Sequence, residues 1–392
     1  MMNKGIFILA LATFVAGTVE LVIAGILDMI AQDLHVSVGA VGQLISIFSL
    51  VFAFGSPILI ALTARIERRK LLIVSMSIFF SGNILSILST NFAMLLVARI
   101  ILAASCSIVV VLSITMAAST VSPALRGRAI GLIFMGLSAS LVFGVPLGTL
   151  IGENFGWRMT FVLVALLSII ATLGIIKFLP TVQPQPTVPL LEQLATLKSP
   201  KIIMIQLISV LELTGHFTVY TYFTPFLQTT MGLSANMISL VLLIFGIASI
   251  TGGWIGGWTS DKFGGAKTIP LALFLLAISL FLLPIAADSL ISLFIDVLFW
   301  GALVWMLSPS VQSYLVQAAP DSSDIQLGLN TSFLHLGVAL GSGLGGILVN
   351  HYPVTTNTWV GGSMVVLALI SAIYSVTKIQ KNNSNQLAVN EN

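Results

Sequence analysis

Apolar residues run along this chain in blocks of about twenty, and most charged residues fall in the short breaks between them. An apolar helix of about twenty residues, rising 1.5 Å per residue, crosses the roughly 30 Å hydrocarbon core of a bilayer. Twelve blocks meet that requirement: 5–27, 38–60, 71–89, 92–117, 129–151, 158–179, 201–226, 236–258, 268–287, 290–315, 328–349 and 357–376. The longest break is 180–200, PTVQPQPTVPLLEQLATLKSP. Its prolines exclude continuous helix, whereas Leu190, Leu191, Leu194 and Leu197 fall at helical spacing. That pattern predicts an extended strap followed by a short amphipathic helix on the membrane surface. The expected fold is an all-α membrane protein of twelve transmembrane helices in two six-helix pseudo-repeats. The bundles are 1–179 and 201–378, joined by the linker 180–200 and followed by a short polar tail, 379–392, expected to be disordered.

The two bundles repeat one another. A shift of 197 residues lays Lys70 on Lys267, Gly131 on Gly328, and Gly144 and Gly148 on Gly341 and Gly345. Repeats of this kind mark many secondary transporters, whose substrates bind near the bilayer midplane between the repeats. Small residues recur at every fourth position: Gly136, Ser140, Gly144 and Gly148 in the fifth block, with Gly152 just past its end, and Gly337, Gly341 and Gly345 in the eleventh. Such stripes let helix backbones approach closely. Static packing and surfaces that rock past one another are both open readings of them. Pro146, inside the first stripe, favours a kink there.

Composition narrows the class further. The chain is 57% hydrophobic and 7% charged, against about 25% charged in soluble domains, which excludes a water-soluble protein. The first block is read as a retained span, because Glu20 interrupts it and no small-x-small cleavage site ends it. Fourteen of the sixteen Lys and Arg fall on one side if the N-terminus is cytoplasmic, leaving Arg158 outside and Arg99 within a span. The positive-inside bias therefore predicts a multi-pass cell-membrane protein with both termini cytoplasmic. The formal charge of +3 is spread over short loops and is no nucleic-acid signal. Cys106 is the single cysteine and sits in an apolar block. The four histidines show no metal spacing, and no phosphate-binding loop is present. No metal, cofactor or direct ATP drive is expected, and an ion gradient is the natural energy source.

Ionisable groups inside spans are costly and usually mark a pathway. Glu20 in the first block and Arg99 in the fourth each lie about seven residues from the outer end, roughly 10 Å deep. They are candidates for proton coupling, either as a structural ion pair or as a switchable carboxylate. The seventh block reads LELTGHFTVYTYF. Glu212 and His216 are four apart and share a helix face, with Tyr220 and Phe223 returning near it. A carboxylate, an imidazole and aromatic rings suit a flat heterocycle and a proton, although His216 could instead simply satisfy Glu212 in the core. Trp300 in the tenth block and Asn330 and His335 in the eleventh complete the candidate substrate-binding set of Glu20, Glu212, His216, Tyr220 and Phe223.

The loop GWTSDKFGGAK resembles the signature of the major facilitator superfamily, carried here by Gly257, Asp261, Lys262, Gly264 and Lys267. The equivalent stretch ILIALTARIERRK keeps Arg65, Arg68, Arg69 and Lys70 but departs at Ile60, Ala64 and Glu67. The resemblance implies that these loops gate the cytoplasmic side. GVPLG at 144–148, together with Arg99, resembles the drug:proton antiporter branch. GQLISIFSLVFAFGSPILIALTARIERRK, FMGLSASLVFGVPLG, TGHFTVYTYFTPFL and QSYLVQAAPDSSDIQLGLNTS are most similar to bacterial purine base and nucleoside efflux pumps of the PbuE type. Asp28 departs from the proline usual in those pumps. The resemblance implies a monomeric, proton-coupled exporter of purines. A sugar or chloramphenicol-like drug exporter, or an importer or facilitator, are the alternatives, and a membrane-embedded enzyme or a sensor is a remote one. The expected partners are a small-molecule substrate, protons and the lipid bilayer, with no nucleic acid.

Overall fold

The computed structural model describes residues 4–122, 125–184 and 190–390. Its described elements are α1 (Lys4–Leu21), α2 (Ile23–Asp33), α3 (Val38–Leu62), α4 (Arg68–Ile87), α5 (Phe92–Ser119) and α6 (Arg126–Ala139), then a π-helical turn (Ser140–Gly144) leading into α7 (Val145–Phe155) and α8 (Trp157–Phe178). After the linker helix α9 (Leu190–Ala195) come α10 (Pro200–Tyr220), α11 (Phe223–Met231), α12 (Ala235–Phe263), α13 (Gly265–Ala286), α14 (Leu290–Ala318), α15 (Ser323–His351) and α16 (Thr356–Asn390). Among the described residues, 12 crossings are long and apolar enough to span a membrane. The internal repeat is carried into the backbone: α3 and α12, α4 and α13, and α6 and α15 each begin 197 residues apart.

Three crossings are not the plain helices that the apolar blocks predict. The first breaks at Val22, between α1 and α2, and Ile26 has non-helical angles (φ −118°, ψ 16°). The seventh breaks at Thr221 and Tyr222. Pro225 accounts for that break, since its ring displaces the carbonyl four residues earlier and it has no N–H to offer. The fifth widens into the π-helical turn two residues before Pro146, which gives the unpaired carbonyls there room to rearrange. At the C-terminus, α16 runs to Asn390, past the boundary at 378 where composition ends the bundle and expects a disordered tail. The run from Lys378 to Asn390 contains neither Gly nor Pro to stop the helix.

The linker is pinned at both ends. Val182 accepts from the Arg68 amide (3.0 Å) and donates to the Glu67 carboxylate (3.1 Å). That carboxylate also caps α4, accepting from the amides of Arg69 (2.8 Å) and Lys70 (2.9 Å). Slight burial pushes the Glu67 carboxyl up, but the three amide donors and the Lys70 charge outweigh it and hold it below the usual carboxylate range. The Arg69 guanidinium donates to the Ile176 carbonyl. At the other end, the Gln326 amide donates to the Thr196 hydroxyl (2.7 Å). A short helix, α9, follows the strap, while 185–189 of the strap lie outside the described residues.

The two halves meet through α3 against α15, α7 against α12, and α2 against α11. Among the described residues, the hydrogen bonds that join them gather at the end away from the linker, here the far end. There Gln43 donates to the Gly343 carbonyl (3.4 Å) and Thr224 donates to the Ala24 carbonyl (2.9 Å). Gly39 lies on the Gly346 carbonyl, and Gly42 on the Tyr222 hydroxyl. The small-residue stripes do something else. Gly144 and Gly148 seat Thr18 and Val22 of the first crossing, and Gly341 and Gly345 seat the backbone of Thr214 and Thr218 of the seventh. Each stripe therefore packs against the first crossing of its own half, not along the seam between halves.

Candidate functional site

Two of the polar clusters inside the spans hold most of the candidate residues. The first is built where α1 ends. The last four carbonyls of a helix have no intrahelical donor, and the break at Val22 creates such an end within the apolar block. Arg99, fully buried on α5, fills it. Its guanidinium donates to the carbonyls of Val19 (2.7 Å) and Glu20 (3.3 Å), reaches that of Leu44 (3.5 Å), and lies over the Phe48 ring at 4.3 Å. The arginine thus meets the backbone of Glu20 and not its carboxylate, so the side-chain ion pair suggested by equal depth is not formed.

The Glu20 carboxylate faces His335 instead. Glu20 Oε1 lies 3.3 Å from His335 Nδ1, with both side chains about seven-eighths buried. The approach lacks hydrogen-bond geometry, and Nδ1 has no hydrogen-bonded partner. The His335 ring rests on Phe52, with centroids 3.8 Å apart and planes tilted by 39°. Glu20 and Phe52 belong to one half and His335 to the other, so this contact bridges the halves at mid-helix depth.

The second cluster belongs wholly to the C-terminal half. Trp300, fully buried on α14, donates its indole N–H to His216 Nδ1 (3.1 Å). An indole N–H only donates, so His216 Nδ1 carries the lone pair and the ring proton sits on Nε2. Phe245 stacks on His216 (5.8 Å, 5°), Tyr220 is tilted against it at 5.2 Å, and Phe223 meets Trp300 edge-on at 5.0 Å. Phe223 reaches this cage across the break at Thr221, so its place is not set by helical spacing from Glu212. Glu212 is 4% exposed, and its Oε1 has no hydrogen-bond partner. His216 is satisfied by Trp300 and not by Glu212.

The other expected residues fall elsewhere. Asn330 donates to Gln206 (2.8 Å) and Ser209 (2.9 Å), which ties α15 to α10 in a buried amide network with Gln326. At the linker end, Arg65, Lys70, Asp261, Lys262 and Lys267 are exposed, while Arg68 is buried. Gly264 has φ +81°, ψ 149°, a conformation essentially reserved for glycine. Glu67, its counterpart 197 residues earlier, keeps a negative φ. Gly257 stands in open space. Sequence reasoning missed Phe48, Phe52 and Phe245. The i, i+4 spacing of Phe48 and Phe52 was visible, but nothing in the sequence sets them apart from lipid-facing phenylalanines.

The family model described as Major Facilitator Superfamily matches residues 9–324. The chain is 39% identical over 368 residues to "Uncharacterized MFS-type transporter YbcL" of Bacillus subtilis (strain 168), covering 94% of each chain. It is 35% identical over 367 residues to "Uncharacterized MFS-type transporter YtbD" of the same organism, covering 92% of each. Among solved structures it resembles the human organic anion transporter MFSD10 (TETRAN), with TM-score 0.69 and 18% identity over 95% of this chain and 98% of that one. It also resembles the peptide transporter POT in complex with sulfate, with TM-score 0.77 and 14% identity over 97% and 95%. At those identities the two structures speak for the fold alone.

Proposed function

The chain belongs to the Major Facilitator Superfamily, a multi-pass membrane transporter and not an enzyme, and from that premise we propose that it is a proton-coupled exporter of small planar organic molecules, purine bases and nucleosides first among them. The observation that carries this reading is the Glu20 carboxylate, held 3.3 Å from an imidazole of the opposite half. A carboxylate so placed changes its surroundings whenever the halves rock, and a group whose surroundings change can take up a proton in one state and release it in the other. Arg99 supports the arrangement by capping the α1 break without neutralising the carboxylate through direct contact. Glu212 is the second candidate carrier. The aromatic cage around His216 and the Phe52 face suit flat rings. The substrate class itself rests on the similarity of the quoted sequence stretches to purine efflux pumps.

In this reading the plasma membrane holds the protein as a monomer, with both termini and the linker in the cytoplasm, as the Lys and Arg bias argues. The far end then faces outward, and closure there is an inward-facing state. The exposed loop residues Arg65, Lys70, Asp261 and Lys262 find their partners when the linker end closes.

The test is transport in proteoliposomes under an imposed pH gradient, following radiolabelled hypoxanthine, adenine and inosine. Gradient-dependent purine movement, abolished in Glu20→Gln and reduced in Glu212→Gln, is the expected result. Movement that ignores the gradient makes the protein a facilitator. No purine movement by folded protein moves the search to sugars and drugs.

A further inference from the structure

The two buried histidines are held in opposite ways. His216 is locked: its Nδ1 takes the Trp300 indole hydrogen bond at 3.1 Å, and aromatic rings pack around it. His335 is not. Its ring lies against Phe52 at 3.8 Å, tilted by 39°, and its Nδ1 approaches Glu20 at 3.3 Å, yet that nitrogen makes no hydrogen bond. Its side chain retains 13% exposure, so the seat is not sealed. The seat and the ring also come from different halves: Phe52 on α3 and Glu20 on α1 form the seat, and α15 supplies the ring.

We propose that the His335 ring is an internal ligand, occupying against Phe52 and Glu20 the seat of a planar nitrogen heterocycle that the transported molecule must take from it. The inference deepens the proposed function and rests on its reading of the seam between the halves as the transport route. The seat offers one aromatic face and one carboxylate acceptor. The nearest cation, Arg99, directs its guanidinium to backbone carbonyls. The ligand chemistry that fits is therefore a flat heteroaromatic ring presenting an N–H donor at its edge. An imidazole ring meets that description, and a purine is an imidazole fused to a pyrimidine. A free heterocycle can move until its N–H points at Glu20, whereas a ring tethered to α15 sits at the right distance with the wrong alignment. Substrate therefore competes with a fixed, imperfect copy of part of itself. Withdrawal of α15 with its half clears the seat.

The experiment uses purified full-length protein and two probes: free imidazole at about pH 8, where most of it is neutral, and radiolabelled adenine. His335→Ala empties the seat. Imidazole is expected to raise the melting temperature of this variant and not of the wild type, and Phe52→Leu added to it is expected to erase the effect. Adenine is expected to bind His335→Ala about ten-fold more tightly, as it would if His335 fills the seat nine-tenths of the time. Should His335→Ala not remain monodisperse, His335→Ser makes the same comparison. An emptied seat that ignores imidazole overturns the proposal, as does weaker adenine binding in the variant, which would make His335 a direct substrate contact. The imidazole arm needs no transport: imidazole capture without purine movement sinks the purine reading and leaves the seat standing. Purine transport without imidazole capture does the reverse.

Discussion

Arg99, His216 and Asp33 show how differently single polar groups are accommodated in this protein. Arg99 gains its hydrogen bonds from carbonyls left open by a helix break. Lysine, with one compact ammonium, cannot serve that fork of acceptors. Arg99→Lys is expected to destabilise the protein by about 1–3 kcal/mol despite the retained charge, measured by thermal unfolding in detergent. Trp300→Phe keeps the ring packing but leaves His216 Nδ1 unpaired, and a loss of about 1–3 kcal/mol is expected in the same assay. Asp33 lies at the far end, outside the apolar core, paired with Arg158 at 2.7 Å and accepting from Trp157 at 3.2 Å. Burial pushes its carboxyl up slightly, but the hydrogen bonds from Arg158 and Trp157 and the Arg158 charge outweigh it and hold it below the ordinary range. A carboxyl depressed in the folded state contributes stability above its unfolded value of about 3.9. That contribution is lost as pH falls through the lower folded value. Wild type should therefore melt above Asp33→Asn near neutral pH, and the gap should close in acid. None of these partnerships was readable in advance. Glu20 and Arg99 were visible as charges in apolar blocks, and the guanidinium does reach the Glu20 backbone, but which atoms met depended on a helix break that no proline announced.

Helices were the legible layer, because a twenty-residue apolar block in a bilayer has almost no alternative to helix. Where the blocks misled was at the breaks. Pro225 and Pro146 were in plain view, yet a proline says only that something must give nearby. Whether the chain answers with two separate helices, as at Thr221, or with a wide turn, as at Ser140–Gly144, depends on what packs alongside. The glycine stripes were legible as close-packing surfaces but not as to partner. Among the described glycines, the closest approaches to a neighbouring backbone lie between α12 and α14, where a Cβ on Gly252 or Gly256 would run into the backbone of Ala302 or Met306. Neither carbonyl can yield without moving its helix. Gly256→Val is expected to cost at least about 1–3 kcal/mol by overpacking, read as a lower melting temperature. Gly257→Ala, one residue on and in open space, should leave it unchanged.

At the scale of the whole molecule, the linker and the seam decide behaviour. Glu67 stands where the first-half loop departs from the superfamily signature, and it holds both the start of α4 and the start of the linker. Glu67→Ala is expected to free Val182 as well as to remove the helix cap. With Cys106 buried, a cysteine placed at Val182 can be alkylated selectively, and its labelling rate should rise when Glu67 is also replaced. An unchanged rate would mean that the backbone bond from Arg68 suffices. The seam itself was the least legible feature. Phe52 and His335 are separated by most of the chain, and only the assembled halves bring them together.

The gathering of inter-half hydrogen bonds at one end has a mechanical consequence. α12 has 29 residues and is therefore about 44 Å long, so a tilt of about 10° pivoting at the far end sweeps its other end through about 8 Å. Such a swing changes the cross-section of the protein from a cylinder to a wedge, with the area gained in one leaflet only. The equilibrium between its states is then coupled to the lateral pressure of that leaflet, and lipids that crowd one side of the membrane act on this transporter without any binding site of their own.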